Sequence, residues 1–411
     1  LPPTLDEVRA WDAADPFRAM RERFDLPAGV VYLDGNSLGA APRAVHERLR
    51  TVLADEWAQG LVRSWNQHDW IGAPARVGAK IGRLIGAQAG EVIVADSTSV
   101  DLFKLLVAAL RHQAPRQVIL TEAGDFPTDA YVAQGVQALL PGVILRAVPP
   151  DELAAAIDAS VALVMLTEVN YRTGARHDMA RLTAQAHAAG ALALWDLSHS
   201  AGAIPVDLTA AHADLAVGCG YKYLNGGPGA PAYLYVARRL QDTLVSPLSG
   251  WMGHADPFAF DGDYRPTAGI ERFLCGTPPM LSLLALECGV DLMAEADMAA
   301  LGAKGQRLCS LFIDCVEARC AGHGLALMTP RDPAARGSQV AFAHPQAWAI
   351  MQAMIDRGVI GDFRAPDVLR CGFTPLYLSY EDTWRAAETL ADILATGGWR
   401  EARFQARSRV T

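Results

Sequence analysis

Seven short apolar runs, separated by stretches with helical spacing, fill the middle of the chain: Glu91–Ala95, Gln117–Thr121, Val143–Val148, Val161–Thr167, Ala191–Asp196, Leu215–Val217 and Ala232–Val236. Runs so short and apolar mark strands buried on both faces, and their alternation with helices predicts a mostly parallel sheet in one large domain. The last run follows a glycine-rich turn too short for a crossover, so it is expected antiparallel. Upstream, Thr4 can cap a helical arm over residues 4–24, with Leu5, Val8 and Trp11 on one face. A short strand at Val30–Leu33 leads into the turn Asp34–Gly39. A helix from Pro42 to Gly60 then carries the stripe Val45, Leu49, Val52, Leu53 and Trp57, expected to pack into a core. A polar–aromatic loop, Arg63–Trp70, and a helix near Ala75–Ile85 follow. After the irregular stretch Trp251–Thr277 the pattern changes to helices over Ser282–Glu295 and Leu301–Cys320. Short strands at Gln339–Ala343, Val359–Asp362 and Val368–Phe373 precede a last helix ending near Leu394. The predicted organisation is a large α/β domain over 65–277 and a smaller α+β domain over 278–411, which the arm and helices of 1–64 join.

Composition narrows the function classes. Of the 411 residues 51% are apolar and 20% charged, the balance of a folded globular chain. A net charge of −9 with no basic block makes nucleic acid an unsuitable partner. No apolar run nears the ~20 residues of a membrane span and no signal-peptide pattern is present, so the expectation is a cytoplasmic protein off the membrane. The seven cysteines form no CxxC pair and read as reduced core residues; no compact His/carboxylate cluster suggests a metal.

The chemistry concentrates between Ala191 and Gly229. Asp196 ends one run, where an open α/β sheet places its ligand, and Lys222 follows the next run, just before the turn Gly226–Gly229. An acid and a lone lysine at adjacent strand ends suit pyridoxal phosphate, held as a Schiff base with its ring nitrogen kept protonated by a carboxylate. The bland alternative is a strand-end acid and a surface lysine that never meet. Ser97, Thr98 and Ser99 stand between a strand and a helix, where hydroxyls and free N–H groups can hold a phosphate, although an ordinary helix cap is the simpler reading.

Six motifs in order carry a resemblance across residues 32–380: YLDGNSLG at Tyr32–Gly39, FPTD at Phe126–Asp129, WDLSHSAG at Trp195–Gly202, GYKYLNGGPG at Gly220–Gly229, GWMGH at Gly250–His254 and RCGFTPLY at Arg370–Tyr377. The chain resembles kynureninase, a fold-type-I pyridoxal-phosphate enzyme with a mostly parallel seven-stranded sheet. The resemblance implies Lys222 as the Schiff-base lysine, Asp196 as the partner of the ring nitrogen and Phe126 stacked on the ring. It places Thr98, Ser99, Tyr221 and Trp251 on the phosphate, and Thr167, His199 and Asp129 along the remaining edges. Thr277 stands where some members carry Asn. Arg370 would clamp the substrate carboxylate, whereas its residue context alone suggests an edge-strand charge facing water. Trp65 and Ser37 would lie near the substrate ring, with Asn36 among the substrate contacts; Trp65 and His199 also have plain core readings.

The implied activity is hydrolysis of L-kynurenine to anthranilate and L-alanine by a homodimer with active sites at the subunit interface, with 3-hydroxy-L-kynurenine a poorer substrate. Tyr221 and a phosphate oxygen are candidates for the proton transfers of the later steps. The alternatives are an aminotransferase, a cysteine desulfurase using Cys371, the cysteine beside Arg370, or a non-catalytic sensor that binds pyridoxal phosphate.

Overall fold

The computed structural model describes residues 2–260 and 262–407. Its centre is a seven-stranded sheet of β1 (Val92–Ala95), β2 (Val118–Glu122), β3 (Ile144–Val148), β4 (Val161–Thr167), β5 (Leu192–Asp196), β6 (Leu215–Cys219) and β7 (Ala232–Val236). The spatial order is β1-β7-β6-β5-β4-β2-β3. Only β7 runs against its neighbours, β1 and β6, and every other pairing is parallel. Alternate side chains leave a strand on opposite faces. Accordingly Leu192 and Leu194 of β5 join one apolar cluster with Leu102, Leu105 and Leu106, while Ala193 and Trp195 join the other with Val77 and Ile81. Both faces of the inner strands are covered, which is why β4, β5 and β6 are buried along their whole length.

A second, antiparallel sheet contains Ala326–Leu327, Gln339–Ala343, Val368–Gly372 and Asp362–Arg364, in that spatial order. The N-terminal segment is tied to it. Val31–Tyr32 pairs in parallel with Val359–Ile360, and Gly372 donates its N–H to Leu33 O at 2.6 Å. The turn Asp34–Leu38 is therefore set beside the strand that carries Arg370.

Five expectations change. Thr4 and Glu7 do form a capping box, but that helix ends at Ala13 and a 3-10 turn over Arg18–Arg23 completes the arm. No helix forms between β3 and β4, where residues 151–156 make turns. The expected strand over Val359–Asp362 is divided, its first part pairing with the N-terminal segment and its continuation, Asp362–Arg364, with the second sheet. The stripe from Val45 to Trp57 is not a core face: Leu53 and Trp57 are 46% and 55% exposed. The reason is local. From Val52 to Gly60 the helix widens to the π form, whose larger turn brings Val52, Glu56 and Gly60 to the inside. The Glu56 carboxylate is satisfied there by Arg48 and by the Trp70 indole N–H at 2.7 Å. Within the stretch read as a loop over Arg63–Trp70, Ser64–Gln67 also forms a helical turn.

Candidate active site

Strand register brings four carboxyl ends into one row. Thr167 lies opposite Asp196, Asp196 opposite Val217, and both Ala95 and Cys219 opposite Ala232. The loops leaving these ends enclose a cavity of about 150 Å3 lined by Ser97, Thr98, Ser99, Phe126, Asp129, Thr167, Asp196, His199, Tyr221 and Lys222, with Thr128 and Ser198. A cavity of that size class admits one six-membered ring. The two largest of the other clefts, about 750 and 720 Å3, share no lining residue with this cavity; their charged residues Glu168, His177, Asp15 and Lys304 are already in ion pairs.

Lys222 sits on a tightly held loop. Gly39 donates to Tyr221 O at 2.8 Å, and a Cβ at Gly39 would lie 2.3 Å from Lys222 O, so only glycine permits this approach. The Lys222 amine is 3.0 Å from His199 Nε2 and 5.7 Å from the Phe126 ring centroid. Burial, then the neighbouring Lys222, holds His199 well below its usual pKa, so the ring is neutral and Nε2 accepts from the lysine. His199 Nδ1 is buried with no hydrogen-bond partner among the described residues. Tyr221 lies across the amine, 5.9 Å from ring centroid to Nζ. The Cys219 side chain and burial push its phenol up, so it stays protonated and can donate from its O–H.

The acid side is a pair. Asp196 and Asp129 are 3% exposed each, and Asp196 Oδ1 accepts the Ser198 N–H at 2.7 Å. Burial, the Asp196 charge and Asp125 push Asp129 well up, which puts the proton of the pair on Asp129. Asp125 in turn accepts from Thr167 Oγ1 at 2.6 Å, and burial raises it to about 7.

Opposite the ring space, the helix Thr98–His112 begins. Ser97 occupies its cap position but its side chain caps nothing, so the ordinary cap is not what these hydroxyls make. Ser97, Thr98 and Ser99 line the cavity, and the first-turn N–H groups of a helix have no intrahelical partners, so this end can serve as an anion site. Lys104, fully buried, anchors this turn from behind through Asp96 and Asp101, 2.7 Å each, and Phe273 O at 2.8 Å. The set fits pyridoxal phosphate: a ring-sized space under Phe126, an amine, a carboxylate at the far edge, a partnerless imidazole nitrogen and unspent donors for a phosphate.

Arg370 is 1% exposed and faces the protein, not water. Cross-strand register sets Asp362 opposite it, and the carboxylate takes the guanidinium fork through Nε at 2.8 Å and through Nη2. Arg370 Nη2 also donates to Ser37 Oγ at 2.8 Å, and Nη1 donates to Tyr171 O at 2.7 Å. The Tyr171 ring meets Phe126 edge-on at 5.2 Å, which joins this cluster to the cavity. Asn36 is buried and donates to Gln339 Oε1 at 3.3 Å.

Six candidates do not line the cavity: Arg370, Ser37 and Asn36 stand in the neighbouring cluster, and Trp65, Trp251 and Thr277 stand apart from both. Trp65 packs edge-on against Trp70 at 5.8 Å, while Trp251 and Thr277 are on the surface. Reading the sequence missed Asp362, Arg364, Asp125, Lys104 and Tyr171. Asp362 and Arg364 stood in plain view two residues apart, but only the register of their strand against Arg370 reveals the pairing. Cys371 is buried, and burial pushes its thiol up, so it is a poor nucleophile.

A family model described as the kynureninase C-terminal domain matches residues 301–390. A kynureninase of Pseudomonas fluorescens is 53% identical over 414 aligned residues, covering 99% of this chain and 100% of that one. One from Burkholderia pseudomallei is 52% identical with the same coverage. Among solved structures, the cysteine desulfurase of Thermococcus onnurineus NA1 superposes with a TM-score of 0.77 at 20% identity, covering 92% of this chain and 98% of that one. A C-DES variant with glycine covalently linked to its PLP cofactor gives a TM-score of 0.76 at 18% identity, covering 90% and 99%. At such identities the likeness is one of fold, the fold-type-I α/β arrangement.

Proposed function

The chain belongs to the kynureninase family, and from that membership we propose that it hydrolyses L-kynurenine to anthranilate and L-alanine with bound pyridoxal 5'-phosphate. The observation that carries the reading is the single cavity in which the Lys222 amine, the Phe126 ring and the Asp196 carboxylate meet. Release of anthranilate from L-kynurenine by the purified, cofactor-loaded protein is the test. A protein that instead only transaminated the substrate, or bound cofactor without turnover, would overturn it. The buried thiol of Cys371 gives no support to a desulfurase.

Bound pyridoxal phosphate supplies an electrophilic carbon for the substrate amine and a cationic ring that draws electrons from the substrate α-carbon. The protein's part is placement and proton handling. Lys222 holds the cofactor and, once displaced, removes the α-proton, with His199 accepting a hydrogen bond from its amine. Asp196 bonds the ring nitrogen, while Asp129, protonated, donates to Asp196 and lines the ring edge beside Thr167. Phe126 stacks on the ring, worth ~0.5–1.5 kcal/mol beyond the area it covers. Thr98, Ser99 and the first-turn N–H groups hold the phosphate. The Tyr221 phenol, which lines the cavity, would also hold the phosphate and could donate a proton in the later steps. Arg370 recognises the substrate carboxylate.

Trp251 and Thr277 are assigned to the site of a second copy, in a homodimer. The exposed apolar residues Leu53, Trp57, Leu61 and Val62, which are 46%, 55%, 59% and 78% accessible, offer the covering face. A monomer's mass by light scattering would remove this assignment. Residues 65–277 are proposed as the cofactor domain, with 1–64 and 278–411 as the smaller one. Seven free cysteines suit a reducing cytoplasm.

The proposed site includes Trp65 beside the substrate ring, and L-kynurenine is then the preferred substrate over its 3-hydroxy derivative. An indole offers a ring hydroxyl no acceptor, and the Ser37 hydroxyl is already engaged by Arg370 and Asp362. An unpaired buried hydroxyl costs ~1–3 kcal/mol, a preference of roughly five- to 150-fold in kcat/KM. Trp65→His should narrow the ratio. Equal values in the wild type would move Trp65 away from the ring.

A further inference from the structure

Counting donors on Arg370 exposes a shortfall. A guanidinium has five N–H groups, and the best carboxylate recognition uses two in parallel. Asp362 takes the Nε and one Nη2 hydrogen, Ser37 Oγ takes the other Nη2 hydrogen, and Tyr171 O takes one from Nη1. One N–H remains. While Asp362 holds the fork, Arg370 cannot by itself grip a substrate carboxylate with two bonds.

Arg364 lies on the strand next to Arg370 and turns into the same cluster. Its Nη2 donates to Ser37 Oγ at 3.0 Å and pairs with Asp362 Oδ2 at 2.6 Å, while its side chain remains 35% accessible. Its Nε is buried without a hydrogen-bond partner among the described residues, and its Nη1 enters none of these bonds. A buried guanidinium N–H without a partner is costly until an anion arrives. Both guanidiniums act electrostatically on His199, which lines the cofactor cavity, and Arg364 also acts on Tyr221. The remaining charges facing the pair are Asp362, already shared between them, and Asp34, which burial and then Asp362 push up to about 7.

We infer that Arg364 is a second substrate-binding residue: the α-carboxylate is held between Arg364 and the one free N–H of Arg370, with Asp362 and Ser37 fixing the two guanidiniums side by side. This rests on the proposed function only in taking an α-amino acid as the ligand. Asp362 is then a positioning residue, spacing two cations that would otherwise repel.

The experiment uses the cofactor-loaded enzyme and reads KM and kcat for L-kynurenine, plus inhibition by L-alanine and by L-alaninamide, which lacks the carboxylate. Arg364→Gln should raise KM roughly 10- to 150-fold, the range of one charge-assisted hydrogen-bonded contact, with kcat within about threefold. Inhibition by L-alanine should weaken by a similar factor, and inhibition by L-alaninamide should not change. Arg364→Lys, which retains the charge and fold if Arg364→Gln does not, should fall between. An unchanged KM, or equal weakening for alanine and its amide, would overturn the inference, because either result makes Arg364 structural. If the wild type releases no anthranilate, the proposed function fails, yet titration of the bound cofactor's absorbance with L-alanine and with L-alaninamide still decides the role of Arg364.

Discussion

Lys222→Ala should lower the release of anthranilate by at least ~10³-fold while the fold survives. General acid–base catalysis by a positioned side chain is worth about 10²–10⁴, and the proposed function also gives this residue the covalent hold on the cofactor. The amine has one polar partner in the structure, His199 Nε2 at 3.0 Å, and is only half-buried, so its removal leaves no charged group stranded in the core. The loop that carries it is fixed by backbone contacts, Asn225 N to Lys222 O at 2.9 Å and Gly226 N to Gly220 O at 2.9 Å, which alanine preserves. His199 cannot substitute as the base at the same position, since its lowered proton affinity makes it a weak acceptor of a proton from carbon. Two measurements check the claim together: turnover, and borohydride fixation of the cofactor to the chain followed by peptide mass. A variant that still fixed cofactor at another lysine, or that kept a tenth of the activity, would remove Lys222 from the centre of the site.

How far the sequence disclosed this arrangement depends on the range of the interaction. Strands β4 and β5 were legible because burial on both faces demands unbroken apolar runs, a local property. Asp196 and Lys222 were legible as strand-end residues, although only the sheet order, which places β5 and β6 side by side, makes them neighbours. Long-range pairing was hidden. Arg370 looked like a surface charge in a strand, and the register against Asp362 decides otherwise. The stripe ending in Trp57 misled for a different reason: a widened helical turn rotates the face, and the inner position went to a carboxylate paired with Arg48 and Trp70. Lys104 went unnoticed because nothing local marks a lysine in an apolar helix as fully buried; its partners come from the preceding turn and from Phe273. Trp251 lies in a matched motif and Thr277 at a position the resemblance singles out, yet both stand at the surface of the chain.

Asp196→Asn and Asp129→Asn should separate sharply, although the two carboxyls touch the same edge of the cavity. A carboxylate beside a pyridinium typically shifts its pKa by ~1–3 units, and each unit is roughly 1.4 kcal/mol, or tenfold in rate when the ring must stay cationic. Asp196→Asn removes that charge and should cut kcat by about 10²–10³, while the phosphate contacts proposed for Thr98 and Ser99 should keep the cofactor bound. Asp129 is different. Burial and the adjacent Asp196 already keep it protonated, so in the native site it is a neutral donor. An amide N–H can replace a carboxyl O–H in that role, and the change should cost no more than about two- to tenfold, the worth of one imperfect hydrogen bond. The Ser198 N–H, 2.7 Å from Asp196 Oδ1, explains the asymmetry from the other side: Asn at 196 can keep this bond through its oxygen, so the fold is spared and the loss falls on the chemistry. The measurement is kcat for both variants at one pH, with cofactor occupancy read from absorbance. Equal losses would show that the two carboxyls share the proton as a unit, and a larger loss for Asp129→Asn would transfer the ring nitrogen to Asp129.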